Sequence, residues 1–401
     1  MGNNKYYTPD GFNDTLPGIC SFKKDAESKL RRLFSLHGYS EIETPGIEYC
    51  DIYMKPSFLK EEELYKMVDQ KGRLICARYD GTIPTARFAA TLYKDEPLPL
   101  RLCYIENMYR FNQSGGGKQS EFTQAGVELM GASGSDSDAE VIALAISAAL
   151  ETGVEDLQIS IGQTKLFEGL ARQFGLDGES TDKLKSAIAS KDSVMIEKTA
   201  SEAGLSTDDA RTLQMLTEFS GSDEMLDEFE KRVTDEQAIE ALKNIREILA
   251  ALDEYGYLKY VTVDLGLFGN EDYYTGVIFK GYTYEVGFPI ISGGRYDNTV
   301  GVFGREMSCV GFSLSLSLAI TALGRQGKIP DEKGPDAIIG YDINIPGARA
   351  AALALAMKLR GEGSTVILDS SHLSEQELDE YAGMRAIAAT FYINEAKEDE
   401  E

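Results

Sequence analysis

Residues Tyr109–Gly131 read YRFNQSGGGKQSEFTQAGVELMG, and this stretch decides the fold. It contains the end of one strand-like run, a glycine-rich loop, SGGGKQ, and a second strand-like run, EFTQAGVELMG. Further strand-like runs follow at DLQISIG, YVTVDLGLF, YTGVIFKGYTYEVG, PIISGGRYD and SCVGFSLS, with helical runs before and between them. This order predicts an α+β core in which a mainly antiparallel sheet is flanked by helices.

The pattern of the chain divides it into three segments. Residues 1–325 form the predicted core, and within it residues from about 163 to 258 are charged, rich in Ser and Ala, and predicted to be a helical insertion. Residues 326–334, QGKIPDEKG, have the polar Gly/Pro composition of a linker. Residues 335–401 alternate strand and helix, which predicts a small βαβαβ unit with an acidic tail.

The composition argues against several classes of protein. The net charge is −26 with no dense Lys/Arg cluster, which lowers the expectation of RNA binding. Two histidines are too few for a histidine-based zinc site and make Ser-His-Asp hydrolysis improbable, and the five cysteines contain no CxxC pair. No apolar run is long enough for a bilayer, and the N-terminal sequence lacks the features of a signal peptide, so we expect a cytoplasmic protein without metal or cofactor.

Four segments resemble the catalytic core of the class II histidyl-tRNA synthetase family. They are GYSEIETPGIE, YRFNQSGGGKQSEFTQAGVELMG, EDYYTGVIFKGY and ISGGRYDN, which occur in the family's order and at compatible spacing. Each alone is a weak match, because short glycine-bearing motifs occur by chance. The resemblance that they carry extends over most of residues 5–325 and implies a class II synthetase-like fold. The final segment resembles a shortened form of the family's anticodon-binding domain.

The resemblance implies a histidine-binding site. The residues that match it are Asp80, Thr82, Arg110, Gln124, Glu128, Tyr273, Tyr274 and Tyr296. The segment ARYDGT matches the part of the family that receives the amino group, and QAGVE matches the part that faces the amino group and imidazole. Carboxylates suit these groups because charge-assisted hydrogen bonds are about twice as strong as neutral ones. Taken singly, the tyrosines could equally be half-buried strand aromatics, and Glu128 could be a solvated strand residue.

The half of the family's site that binds ATP does not match. The family has Arg-x-Glu in its second motif, where this chain has Arg110, Phe111 and Asn112, and Lys118 is the one cation in the following loop. Gly269 replaces an arginine that neutralises the α-phosphate in the family. The segment VGFSLSLSLA, whose alternation predicts a strand running into a helix, has Ser317 and Leu318 where the family has glutamate and arginine. Since one lost charge contact typically lowers a rate by about 10²–10³, little aminoacylation is expected.

One branch of the family keeps the fold without the charging chemistry, and EFTQAGVELMG resembles that branch most. It consists of the regulatory subunits of ATP phosphoribosyltransferase. The resemblance implies a non-catalytic subunit that assembles with the short catalytic subunit, is required for its activity in the first step of histidine biosynthesis, and transmits feedback by histidine. It also implies a homodimer within a hetero-oligomer, and no tRNA or membrane partner. Two alternatives stay open: an active histidyl-tRNA synthetase, and a histidine-binding module of another regulator.

Overall fold

The computed structural model describes residues 7–54, 61–111, 119–218, 223–268 and 274–395. The chain forms two units. One comprises Met1–Thr15 and Ser21–Ile329, and the other comprises Leu16–Cys20 and Pro330–Glu401. Within the described ranges, no helix is both long and apolar enough to cross a membrane.

The helices and strands up to Arg325 follow one another along the chain as α1 (Pro17–Leu36), β1 (Ser40–Glu41), β2 (Ile47–Tyr49), α2 (Asp51–Met54), β3 (Lys66–Val68), β4 (Leu74–Ala77), α3 (Thr82–Thr91), β5 (Leu100–Tyr109), β6 (Glu121–Met130), α4 (Ser135–Glu151), β7 (Gln158–Gln163), α5 (Thr164–Gln173), α6 (Gly178–Ala189), α7 (Ser193–Glu202), α8 (Thr207–Glu218), α9 (Asp223–Glu230), α10 (Glu236–Glu254), β8 (Val261–Val263), β9 (Val277–Tyr282), β10 (Ile291–Arg295), β11 (Cys309–Ser315) and α11 (Leu316–Arg325).

The central sheet has the strand order β1-β5-β6-β11-β10-β9-β7-β8. Its neighbours are antiparallel except for the pairs β1–β5 and β7–β8. The predicted α+β core, a mainly antiparallel sheet flanked by helices, is therefore confirmed. The alternating segment VGFSLSLSLA is confirmed as a strand running into a helix, because β11 ends at Ser315 and α11 begins at Leu316.

The register of three central strands places glycine beside a carboxylate. Glu128 on β6 lies opposite Gly311 on β11, and Gly311 lies opposite Gly294 on β10. A Cβ on Gly311 would clash with the Glu128 carboxylate and lie 2.6 Å from the carbonyl oxygen of Val127. Glycine is thus required at position 311 because no side chain fits between these strands.

A second, three-stranded sheet of the same unit has the order β2-β4-β3 and leads directly into α3. Its buried side is formed by one apolar cluster of side chains: Cys50, Tyr53, Leu64, Cys76, Tyr79 and Ile83. After β4, the buried Arg78 pairs with Glu106 at 2.8 Å and donates to the carbonyl oxygen of Thr44 at 2.7 Å. These contacts fix the chain just before Asp80 and Thr82.

Between Thr164 and Glu254, the elements of the described residues are the helices α5–α10. They share an apolar cluster that includes Phe167, Leu216 and Phe229, all almost fully buried. Aspartates begin three of these helices, since the side chains of Asp177, Asp192 and Asp235 accept hydrogen bonds from first-turn N–H groups.

The second unit contains β12 (Ala337–Tyr341), α12 (Ala348–Gly361), β13 (Val366–Leu368), α13 (Glu375–Met384) and β14 (Ala389–Ile393). Its sheet has the order β13-β12-β14, and both strand pairs are parallel. Ser374 and Glu377 form a capping box at the start of α13.

Candidate functional site

A cavity of about 730 Å³ opens on the central sheet of the first unit. Seven of the eight predicted histidine-site residues line it, namely Asp80, Thr82, Arg110, Gln124, Glu128, Tyr274 and Tyr296. The eighth, Tyr273, lies outside the described residues. The structure thus brings into one place side chains that are up to 216 positions apart in the chain.

Glu128 lies at the buried end of this cavity and is 1% exposed. Its Oε1 accepts a hydrogen bond from the Thr82 hydroxyl at 2.8 Å, and its Oε2 accepts one from the Tyr296 hydroxyl. Burial raises the pKa of Glu128 to about 8; the two hydroxyls oppose this shift, and the charge of Asp80 adds to it. Glu128 is therefore not the solvated strand residue that its position in a strand could have indicated.

Asp80 and Arg110 form an oppositely charged pair of groups in the same cavity. Burial raises the pKa of Asp80 to about 6, and the charge of Arg110 opposes that shift. Asp80 Oδ1 also accepts the N–H of Ile83 at 3.1 Å, in the first turn of α3. The Arg110 guanidinium lies 4.3 Å from the ring centre of Tyr79, and its Nε donates to the Tyr79 carbonyl at 3.1 Å. Both charged groups are consequently held by backbone contacts.

Gln124 and Tyr274 complete the predicted set. The Nε2 of Gln124 donates to the Ser313 hydroxyl at 3.4 Å, while its Oε1 is buried and has no hydrogen-bond partner among the described residues. The Tyr274 ring lies beside Gly294, whose missing Cβ would be 2.8 Å from the ring. A buried carbonyl oxygen without a donor is costly, so this atom favours a ligand that brings an N–H or O–H group.

The other end of the cavity is lined by Ser315, Ser317, Leu318, Thr321 and Arg325 and by residues 286–290. The Ser317 hydroxyl accepts the N–H of Thr123 at 2.9 Å, and the Ser315 hydroxyl accepts the N–H of Leu318 at 3.4 Å. These serine hydroxyls therefore accept hydrogen bonds from backbone N–H groups, a role that the resemblance to the synthetase family did not predict.

Within the described part of the chain, two cations line the cavity, Arg110 and Arg325. Arg325 was not predicted; its Nη1 donates to the carbonyl oxygen of Glu285 at 2.7 Å, which ties α11 to the loop after β9. Asn112, Lys118 and Gly269, which entered the sequence argument about ATP, lie outside the described residues. Four acidic residues also line this cavity: Glu62, Glu63, Asp80 and Glu128. This charge pattern suits a ligand with cationic groups better than a polyphosphate.

Metal binding is not indicated by the described residues, since none of their His, Cys, Asp or Glu side chains form a group able to hold a metal ion. Four of the cysteines are buried free thiols and one, Cys20, is an exposed free thiol. Burial raises the pKa of Cys103 to about 12, so this thiol is unreactive at neutral pH.

Comparisons with known proteins identify the family. The sequence profile of histidyl-tRNA synthetase matches residues 11–318. An ATP phosphoribosyltransferase regulatory subunit from Acetivibrio thermocellus is 41% identical over 394 residues, 98% of this chain and 94% of that protein. A crystal structure of an ATP phosphoribosyltransferase regulatory subunit/histidyl-tRNA synthetase from Bacillus halodurans has a TM-score of 0.87 at 31% identity, covering 98% of this chain and 99% of that one. Histidyl-tRNA synthetase from Nostoc sp. PCC 7120 shares the fold, with a TM-score of 0.80 at 20% identity and coverage of 95% and 90%.

The chain therefore belongs to the histidyl-tRNA synthetase family, whose class II fold it shares. Within that family it groups with the regulatory subunits of ATP phosphoribosyltransferase. It is accordingly a regulatory, non-catalytic subunit of an enzyme complex, and the names of its relatives place it in histidine biosynthesis.

Proposed function

We propose that this chain assembles with the short catalytic subunit of ATP phosphoribosyltransferase, is required for its activity, and binds histidine as the feedback signal. The observation that carries the proposal is the composition of one cavity. Its buried end holds the acidic residues Asp80 and Glu128, while the end containing Ser317 and Leu318 offers, among the described residues, one cation for a triphosphate, Arg325. A site of this kind recognises an amino acid without activating it.

Histidine has groups that complement the buried end. Its carboxylate and ammonium match the adjacent charges of Arg110 and Asp80, and a bidentate guanidinium suits a carboxylate. The Oε1 of Gln124, which has no partner in the part of the chain that the structure describes, can accept an ammonium N–H. The imidazole ring then extends toward Glu128, the most buried of the acidic residues that line this cavity in the described part of the chain.

Assembly is tested by mixing the purified chain with a short-form catalytic subunit. We expect a hetero-oligomer containing homodimers of this chain, a rise in phosphoribosyl transfer, and a decrease in that activity when histidine is added. Size-exclusion chromatography with light scattering and a transfer assay measure these outcomes. Unchanged transfer with no complex would refute the proposal, and histidine-dependent exchange of pyrophosphate into ATP by this chain alone would favour an active synthetase instead.

Histidine binding is expected to depend on Glu128. The substitution Glu128→Gln keeps the size of the side chain but cannot form a carboxylate against the bound ligand, so histidine affinity should fall by about 10- to 100-fold, the value of one buried charge-assisted hydrogen bond. Calorimetric titration of both proteins measures the change. The matched control is Glu62→Gln, because Glu62 lines the same cavity but is exposed. The histidine affinity of this variant should stay within about twofold of the wild-type value. Equal losses in both variants would show that Glu128 does not contact the ligand.

A further inference from the structure

Glu128 is surrounded by hydroxyl, thiol and carboxyl groups rather than by bases. Thr82 at the start of α3 and Tyr296 after β10 donate hydrogen bonds to it. The other titratable groups that act on it or respond to its charge are Asp80 before α3, Tyr104 on β5 and Cys309 on β11. In the described part of the chain Glu128 forms no ion pair. Two arginines act on its neighbours, Arg110 on Asp80 and Arg295 on Cys309.

Without histidine, the carboxyl of Glu128 therefore holds a proton at neutral pH. Burial raises the pKa of Glu128 to about 8, so its carboxyl is mostly protonated at pH 7. In that state it donates its proton to the oxygen of the Thr82 or Tyr296 hydroxyl, since a hydroxyl group can accept as well as donate. The imidazole of free histidine has an ordinary pKa of about 6.5 and is mostly neutral at the same pH. When the ring approaches Glu128, a protonated carboxyl therefore faces a neutral imidazole.

We infer that the ring of bound histidine takes up the proton of Glu128, so that the complex retains this proton and releases none to solvent. The O–H bond of the carboxyl breaks and an N–H bond forms on the ring, leaving a buried carboxylate–imidazolium pair. Such a pair is held by a charge-assisted hydrogen bond, which is stronger in this buried setting than the bond between the neutral partners. The inference rests on the proposed histidine site and specifies how that site responds to pH.

The sign of the pH dependence follows from the number of protons held before and after binding. Between about pH 6.5 and 8 the free partners hold one proton in total, as does the complex, so affinity should be nearly constant. Above about pH 8 the free Glu128 loses its proton, binding must take one up, and affinity falls. Below about pH 6.5 both free partners are protonated, binding releases a proton, and affinity again falls.

The alternative is an ionised Glu128 that accepts an N–H from a neutral ring. In that case binding at pH 7.2 would release close to one proton, because the carboxyl is protonated before binding. The affinity of the wild type relative to Glu128→Gln would then rise with pH through about 8. As the pH rises through about 8, the two arrangements therefore change the relative histidine affinity in opposite directions.

The test is calorimetric titration of histidine into the full chain in phosphate and in Tris, whose ionisation enthalpies differ. We expect about zero protons exchanged at pH 7.2, and at pH 8.6 about 0.8 more protons taken up by the wild type than by Glu128→Gln. The variant serves as the control because the histidine α-amine titrates equally in both. The ratio of the wild-type affinity to that of Glu128→Gln, measured from pH 6 to 9, provides a second readout in which the titrations of the histidine α-amine and of Asp80 cancel.

The outcomes separate this inference from the proposed function. Release of about one proton at pH 7.2, or an affinity relative to Glu128→Gln that rises through pH 8, would overturn the retained proton while leaving histidine binding intact. Equal proton uptake by wild type and Glu128→Gln at pH 8.6 would also overturn it. Absence of any histidine binding, by heat or by a shift in melting temperature, would refute the proposed function itself.

Discussion

Replacing Gly311 with alanine is expected to lower the free energy of unfolding by about 3 kcal/mol and to abolish histidine binding. The new methyl group would clash with the Glu128 carboxylate and lie 2.6 Å from the Val127 carbonyl oxygen. A side chain can move away, but the backbone of the neighbouring strand cannot do so without breaking the pairing of β6 with β11. Urea unfolding gives the stability, and calorimetry gives the binding.

Gly324→Ala is the matched control for this substitution. Gly324 lies in the last turn of α11, and a Cβ there would meet its nearest neighbour, Ile329, at 3.5 Å, an ordinary contact. Because alanine is the better helix former, stability should be unchanged or rise by up to about 1 kcal/mol. If Gly311→Ala unfolds at the same urea concentration as Gly324→Ala and still binds histidine, the close approach of β11 to Glu128 is not a constraint.

Removing Asp138 is expected to have an effect of similar size at a different place. Asp138, in the first turn of α4, pairs with Arg295 at 2.6 Å, and both side chains are less than a tenth exposed. Asp138→Ala would leave the Arg295 guanidinium buried with a hydroxyl of Ser137, the carbonyl of Ala132 and the less buried Asp297 as partners. Breaking one side of a buried pair typically costs about 3–5 kcal/mol, so we expect a loss in that range by urea unfolding.

The control for Asp138 is the same substitution at an exposed ion pair. Asp25 in α1 pairs with Lys29 at 2.8 Å, and the two side chains are 60% and 50% exposed. Water and salt screen such a pair, so Asp25→Ala should change stability by less than about 0.5 kcal/mol. A loss in Asp138→Ala no greater than that in Asp25→Ala would mean that the Arg295 contact contributes nothing to the fold.

Much of the fold could be predicted because the local spacing of apolar residues indicates its strands and helices. Alternating apolar residues predict β5, β6 and β11, and helical spacing predicts α1 and the helices between Thr164 and Glu254. The parallel pairs β1–β5 and β7–β8 could not be predicted, because they join strands distant along the chain and one member of each is very short. Pairing of this kind depends on tertiary packing rather than on the residues of either strand.

The site was predicted to the extent that its residues lie in recognisable motifs. Asp80, Gln124 and Glu128 belong to such motifs, and the structure places them in one cavity. Gly311 was not predicted to matter, because its role comes from the register of β11 against β6, which the sequence of one strand does not reveal. Arg325 was not predicted because it lies at the C-terminal end of α11, outside the motif that contains Ser317.

The hydroxyl of Ser317 makes the loss of the nucleotide site difficult to reverse. It accepts the N–H of Thr123. Thr123 is the residue of β6 that precedes Gln124, where the pairing of β6 with β11 ends. Restoring a family-like glutamate at position 317 would remove this acceptor and crowd a carboxylate into its place before any phosphate contact is regained. This step back toward the family's ATP site therefore weakens the fold first, so position 317 is held by a stability barrier as well as by the absence of a charge.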